Sequence, residues 1–87
     1  DLEDGKLTCK VLLFAAASDV CGKREAQLSM ARNSSVGDVF DVLSETSPEL
    51  CSLRSRCAFA MDQKICSSDT QLLDGCTIAI LPPVSGG

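Results

Sequence analysis

The sequence contains no histidine, no tryptophan and no tyrosine, and three phenylalanines are its whole aromatic complement. Without imidazole there is no Ser-His-Asp or Cys-His nucleophile arrangement and no zinc site that requires a histidine ligand. Three rings offer little for base stacking. The eight basic residues (Lys6, Lys10, Lys23, Arg24, Arg32, Arg54, Arg56, Lys64) are scattered, and twelve acidic ones bring the net charge to −4. A nucleic-acid binder needs a basic face to displace counterions from phosphates, so nucleic acid is not an expected partner. A membrane is not expected either. A spanning helix needs roughly 20 consecutive apolar residues, whereas the longest run, Val11 to Ala17, is bounded by Lys10 and Ser18. What remains is an 87-residue chain, 45% hydrophobic and 23% charged, which is the composition and size of one small globular domain.

Six cysteines in so short a chain raise the question of redox compartment. An even count in a small domain can form a disulfide framework in a secreted scaffold. Two observations point the other way. The first residues, Asp-Leu-Glu-Asp-Gly, are no signal peptide, and the cysteines sit inside apolar alternations such as Leu7-Cys9-Val11 and Cys76-Ile78-Ile80. There a free thiol behaves as a small hydrophobe. The spacing 9, 21, 51, 57, 66, 76 holds no C-x-x-C, so an all-thiolate zinc site is not expected. The expectation is reduced thiols in a cytosolic protein, with no metal.

Leu7 to Ala15 is nearly continuous in apolar residues, which suits a central strand covered on both faces. Ser18 to Gly22 reads as one helical turn that Gly22 ends in a left-handed conformation. Glu25 to Met30 alternates, with Ala26, Leu28 and Met30 as the buried side of a strand. Ser35-Val36-Gly37-Asp38 has the form of a capping box. Val36, Val39, Phe40 and Leu43 follow at the spacing of a core-facing helix, which Pro48 must stop. The opposite face, with Asp38, Asp41 and Glu45, is expected to meet water. Leu50 to Arg56 is a turn or short helix in which Arg54 and Arg56 are either an anion site or a solvated pair. Cys57 to Met61, Lys64 to Cys66 and Cys76 to Leu81 are strands, the last following the tight turn Leu72-Leu73-Asp74-Gly75.

Strand, strand, helix, strand, short strand, strand defines an α+β domain with the helix packed across one sheet. That is the order of the β-grasp, or ubiquitin-like, roll: a mixed sheet of four to five strands whose first and last strands pair in parallel at the centre. The domain spans residues 1–81, and residues 82–87 form an extended tail. In that tail, Pro82 and Pro83 stop the strand and stiffen the backbone. Six residues reach roughly 20 Å at about 3.3 Å each, enough to enter a partner's pocket. Gly86 and Gly87 let a terminal carboxylate pass a narrow channel and take torsions other residues cannot. Such a carboxylate can be adenylated, and a sulfur donor can then displace AMP to leave a thiocarboxylate. A frayed tail would carry the same small residues; the position just past a last strand in this element order argues for function.

The ending Pro82-Pro83-Val84-Ser85-Gly86-Gly87 resembles the P-P-[IV]-[ST]-G-G terminus of the small, sulfur-carrier subunit of molybdopterin synthase, the MoaD family. The likeness extends through Asp74-Gly75 and Ile78-Ala79-Ile80-Leu81, and Lys10-Val11-Leu12-Leu13-Phe14-Ala15 is similar to the family's first strand. The resemblance implies that Gly87 is adenylated by an ATP-dependent, ubiquitin-activating-like enzyme and converted to a thiocarboxylate. It implies that Pro82, Pro83, Val84, Ser85 and Gly86 insert into the large catalytic subunit, where the sulfur passes to cyclic pyranopterin monophosphate. The usual assembly is a heterotetramer of two small and two large subunits, with no cofactor bound to the small one. By alignment the apolar patch offered to the large subunit falls on Phe14, Ile65 and Leu81; each has a core alternative. Cys76-Thr77 stands where the family often has an acidic residue, and Met61-Asp62 where it often has Val-Asn. Alone such a subunit catalyses nothing. The same acyl-adenylate chemistry serves a ubiquitin-like protein modifier, or a carrier for thiazole or cysteine synthesis; Gly-Gly does not separate them, while the di-proline favours the synthase subunit. A secreted disulfide-rich binding module has only the cysteine count in its favour.

Overall fold

The computed structural model describes residues 5–82. Five strands, β1 (Lys6–Leu13), β2 (Glu25–Ala31), β3 (Ala58–Met61), β4 (Lys64–Cys66) and β5 (Thr77–Leu81), form one mixed sheet in the order β2-β1-β5-β3-β4. Helices α1 (Ala15–Cys21) and α2 (Val36–Thr46) and a 3-10 helix (Pro48–Arg56) are the helical elements among the described residues. β1 and β5 pair in parallel with Lys10 opposite Thr77 and Leu13 opposite Ile80, and every other pairing is antiparallel. This is the β-grasp arrangement: first and last strands side by side, β5 at the middle of the sheet.

β1 alternates between exposed and buried positions along its length. Leu7, Cys9, Val11 and Leu13 point to the helical side, joined there by Met30, Phe59, Ile78 and Ile80 and by Val36, Val39, Phe40 and Leu43 of α2. The expectation that β1 is covered on both faces is therefore corrected. Lys6, Thr8 and Lys10 occupy its other face and are exposed, and only Leu12 there is half-buried. The sheet thus has one packed face and one open face. Thr8 and Lys10, two positions apart within the apolar run, are the sign of one-sided burial.

The capping box forms as expected. The Ser35 hydroxyl accepts from the Asp38 amide at 3.3 Å, and the Asp38 carboxylate accepts from the Ser35 amide at 2.9 Å. The next two orphan amides of α2 donate to loop carbonyls, Val36 to Thr70 at 2.9 Å and Gly37 to Ser68 at 2.8 Å. The acidic face of α2 does more than meet water: Asp38 is this cap, and Asp41 pairs with Arg54. The Arg54 guanidinium lies 5.7 Å from the centre of the Phe40 ring, so it is neither a free anion site nor simply solvated. Gly37 leaves room for it, because a Cβ there would stand 2.7 Å from Arg54 Nη2.

Several boundaries also differ from expectation: β2 runs on to Ala31, β3 and β5 start one residue late at Ala58 and Thr77, and the helix expected from Leu50 starts at Pro48. β1 stops at Leu13 rather than Ala15, and α1 spans Ala15–Cys21 rather than the single turn from Ser18. Ala15 enters the helix with φ +50°, an unusual torsion for alanine that apolar patterning does not reveal. Gly22 does end α1 in the left-handed region, φ +73°. Asp62 and Gln63 are both left-handed, at φ +52° and +73°, the torsions of a type I′ hairpin between β3 and β4. No helix of the described residues is long and apolar enough to cross a membrane.

Candidate functional site

Because β1 and β5 run in parallel, their C-terminal ends emerge side by side. β1 turns into α1 through Phe14, and β5 delivers Leu81 to Pro82. Proline has no amide hydrogen, so the ladder cannot continue through Pro82, and β5 stops at Leu81. Pro82 is half-buried. Pro83, Val84, Ser85, Gly86 and Gly87, the remaining tail residues, lie outside the described residues.

Phe14 is the N-cap residue of α1, with extended torsions (φ −119°, ψ 152°) that carry its side chain clear of the sheet. Its carbonyl accepts from Ala17 at 3.0 Å and Ser18 at 3.4 Å, which anchors the backbone while the ring remains 45% exposed. Ile65, on the edge strand β4, is 73% exposed. Leu81 is half-buried. All three therefore reach the surface rather than the core.

The strand registers place two of them on one face. Leu12 is opposite Ala79, Ala79 opposite Ala60, and Ala60 opposite Ile65, an unbroken apolar row across four strands of the open face. The neighbouring pair Leu81–Ala58 lies on the same face. Phe14 and Leu81 meet across a groove of about 420 Å³ lined by Leu12, Phe14, Asp62, Gln63, Thr77, Ala79 and Leu81. Ile65 stands beyond that groove, at the far end of the row.

Two residues lining the groove, Asp62 and Thr77, are hydrogen-bonded to each other. The Asp62 carboxylate accepts from the Thr77 amide at 3.0 Å, and the Asp62 amide donates to the Thr77 carbonyl at 2.8 Å. Across Phe14 a second, more polar hollow of about 520 Å³ is lined by residues that include Asp19, Arg24 and Glu25. Among the described residues, no three His, Cys, Asp or Glu side chains gather around a point that could hold a metal ion. All six cysteines are free. Burial, helped by the neighbouring Cys76, pushes the Cys9 thiol from its ordinary value of 9.0 up to about 11. Burial also raises Cys57, against the opposing pull of Arg56. Neither is an activated nucleophile.

Sequence reasoning misses Leu12, Ala60 and Ala79. The signal for Leu12 is its position two residues before Phe14 in β1. The alanines acquire meaning only once the parallel register is known.

A one-faced β-grasp sheet whose central strand ends in a di-proline, beside an exposed apolar surface, defines the ubiquitin-like class of small carrier and modifier proteins. The sequence matches the ThiS family over residues 11–87, and the chain belongs to that family. It is 34% identical to the molybdopterin synthase sulfur carrier subunit of Chlamydomonas reinhardtii, over 90% of this chain and 96% of that one. The solution structure of small archaeal modifier protein 1 from Methanosarcina acetivorans superposes with a TM-score of 0.79 at 27% identity, covering 94% of this chain and 98% of that one. The same fold occurs in a Helicobacter pylori protein–protein complex of subunits 1 and 2 of molybdopterin-converting factor, with TM-score 0.64, 22% identity, and 93% and 100% of the two chains covered.

Proposed function

We infer that this chain is a sulfur carrier in molybdenum cofactor biosynthesis, with the Gly87 carboxylate as its working group. The observation that carries the reading is the sequence Pro82-Pro83-Val84-Ser85-Gly86-Gly87 continuing directly from the central strand of the sheet. A carboxylate is a poor electrophile. Attack of its oxygen on the α-phosphorus of ATP expels pyrophosphate and forms an acyl adenylate. A sulfur nucleophile then adds to the acyl carbon and expels AMP: hydrosulfide leaves the thiocarboxylate directly, whereas a persulfide donor leaves an acyl disulfide, whose S–S bond a thiol cleaves by forming a disulfide with the donor sulfur and releasing the thiocarboxylate. The enzyme for these steps is a ubiquitin-activating-like adenylyltransferase, and ATP is its substrate rather than a ligand of this chain.

The sulfur-loaded tail then enters the large catalytic subunit of molybdopterin synthase. There the sulfur passes to cyclic pyranopterin monophosphate in an assembly of two small and two large subunits. Phe14, Leu81 and Ile65 form the surface that docks on the large subunit, while Pro82 to Gly86 form the inserted segment. The internal thiols are packing groups; the transferred sulfur sits on Gly87. Free cysteines support a reducing, cytosolic setting.

A second reading, a protein modifier that forms isopeptides through Gly87, is favoured by the likeness to the archaeal modifier. Intact mass of the protein from its native cells separates the two. A gain equal to one oxygen replaced by sulfur, localised to the C-terminal peptide, is expected for the carrier; a branched conjugate to lysine would favour the modifier. Adding one Ala after Gly87 is expected to abolish molybdopterin formation without changing the melting temperature. Retained activity would end the terminal-carboxylate mechanism.

A further inference from the structure

The groove beside the tail has a small residue at the centre of its floor. Ala79 lies on β5 between Leu12 of β1 and Ala60 of β3, with Thr77 and Leu81 two positions away on the same face. Leu12, Phe14 and Leu81 rise around it. Any side chain longer than a methyl at position 79 would project into this hollow. The core would be untouched, because residue 79 faces away from α2. The Thr77 amide is taken up by the Asp62 carboxylate, and Leu12, Phe14, Ala79 and Leu81 make the rest of the lining mainly apolar, so the groove favours an apolar occupant. The occupant is taken from continuity: Leu81 lines the groove and is joined to Pro82, so the groove borders the surface assigned above to the large subunit.

We propose that the groove floored by Ala79 is a socket for one bulky apolar side chain of the large subunit, and that the missing side chain at position 79 determines which partners fit. The inference rests on the carrier reading above. It differs from a simple sticky patch in the sign of one effect. If apolar area alone drove docking, a larger apolar side chain at position 79 would bind as well or better. A socket of fixed shape would instead have its floor raised, so that the partner's side chain could not seat at full depth.

The experiment titrates the folded, full-length chain and its Ala79→Val and Ala79→Leu variants against a purified large subunit of molybdopterin synthase, by calorimetry. Circular dichroism melts of each variant establish that it is folded; valine, a strand-favouring residue, serves if leucine does not fold. The expected result is graded weakening, with Val below Ala and Leu at least tenfold below it. Binding of either folded variant at the strength of the unsubstituted chain overturns the socket while leaving the carrier reading intact. Failure of the unsubstituted chain to bind the large subunit overturns the carrier reading, and the socket's occupant with it.

Discussion

At the scale of single residues, the cysteines are the most unusual feature and the least chemical one. Cys9 and Cys76 are buried and stand side by side, one position before the Lys10–Thr77 pair of the parallel strands. A thiolate there would be stripped of water, which is why the Cys9 value rises to about 11. Below about pH 9 the thiol is protonated in folded and unfolded chains alike, and its contribution is fully present. Between about 9 and 11 the unfolded chain ionises while the folded one does not. Stability is therefore lost as pH rises through that window. Thermal melts across this range are expected to show a falling midpoint, less steep in Cys9→Ala. At pH 8, alkylation of the native protein is expected first at Cys51, which is exposed, and at Cys9 and Cys76 only after unfolding. The apolar alternation around these residues already marks them as packing groups. Gly37 is opaque by contrast: nothing local says that Arg54, seventeen positions on, lies where its side chain would be.

At the scale of elements, legibility follows how local the determining forces are. The start and the buried face of helix α2 are readable because the cap and the apolar spacing both lie within a short local stretch. Ser35→Ala is expected to cost about 1 kcal/mol, seen as a lower urea midpoint with unchanged slope. The loss should stay near that value, since the Val36 and Gly37 amides are held by Thr70 and Ser68 independently of the hydroxyl. The hairpin at Asp62-Gln63 is readable from its position between two apolar runs, though its left-handed torsions lack the usual glycine. Helix α1 reads too short from the sequence because its start depends on the torsion of Ala15 and not on periodicity. The open face of β1 is misjudged for a related reason: whether an apolar run is covered once or twice depends on what packs against it, and that is decided far away in sequence.

At the scale of the whole molecule, the site consists of what the parallel pairing brings together. Phe14 and Leu81 are distant in sequence and share a groove only because β1 and β5 run in the same direction. Phe14→Glu is expected to leave the melting temperature within about 4 °C, since surface substitutions usually move stability by no more than about 0.5 kcal/mol. It is also expected to weaken binding to the large subunit by tenfold or more, because docking would bury an unpaired carboxylate. Unaltered binding in that variant would remove Phe14 from the interface. Element order makes the fold class and the tail's point of departure legible. The apolar row from Leu12 to Ile65 is not, because a one-residue slip in any of three registers would break it.

The position of β5 also has a consequence for the order in which the molecule is made. β5 is the last of the described strands and the middle one of the sheet, so β1 and β3 are joined only through it. On the ribosome, the β1–β2 hairpin can form early, and so can the β3–β4 hairpin, but the two halves have no shared ladder until Thr77–Leu81 leaves the exit tunnel. The sheet is therefore closed by the strand that carries the chain into Pro82, and the β1–β2 and β3–β4 pairs share no ladder until that strand is in place.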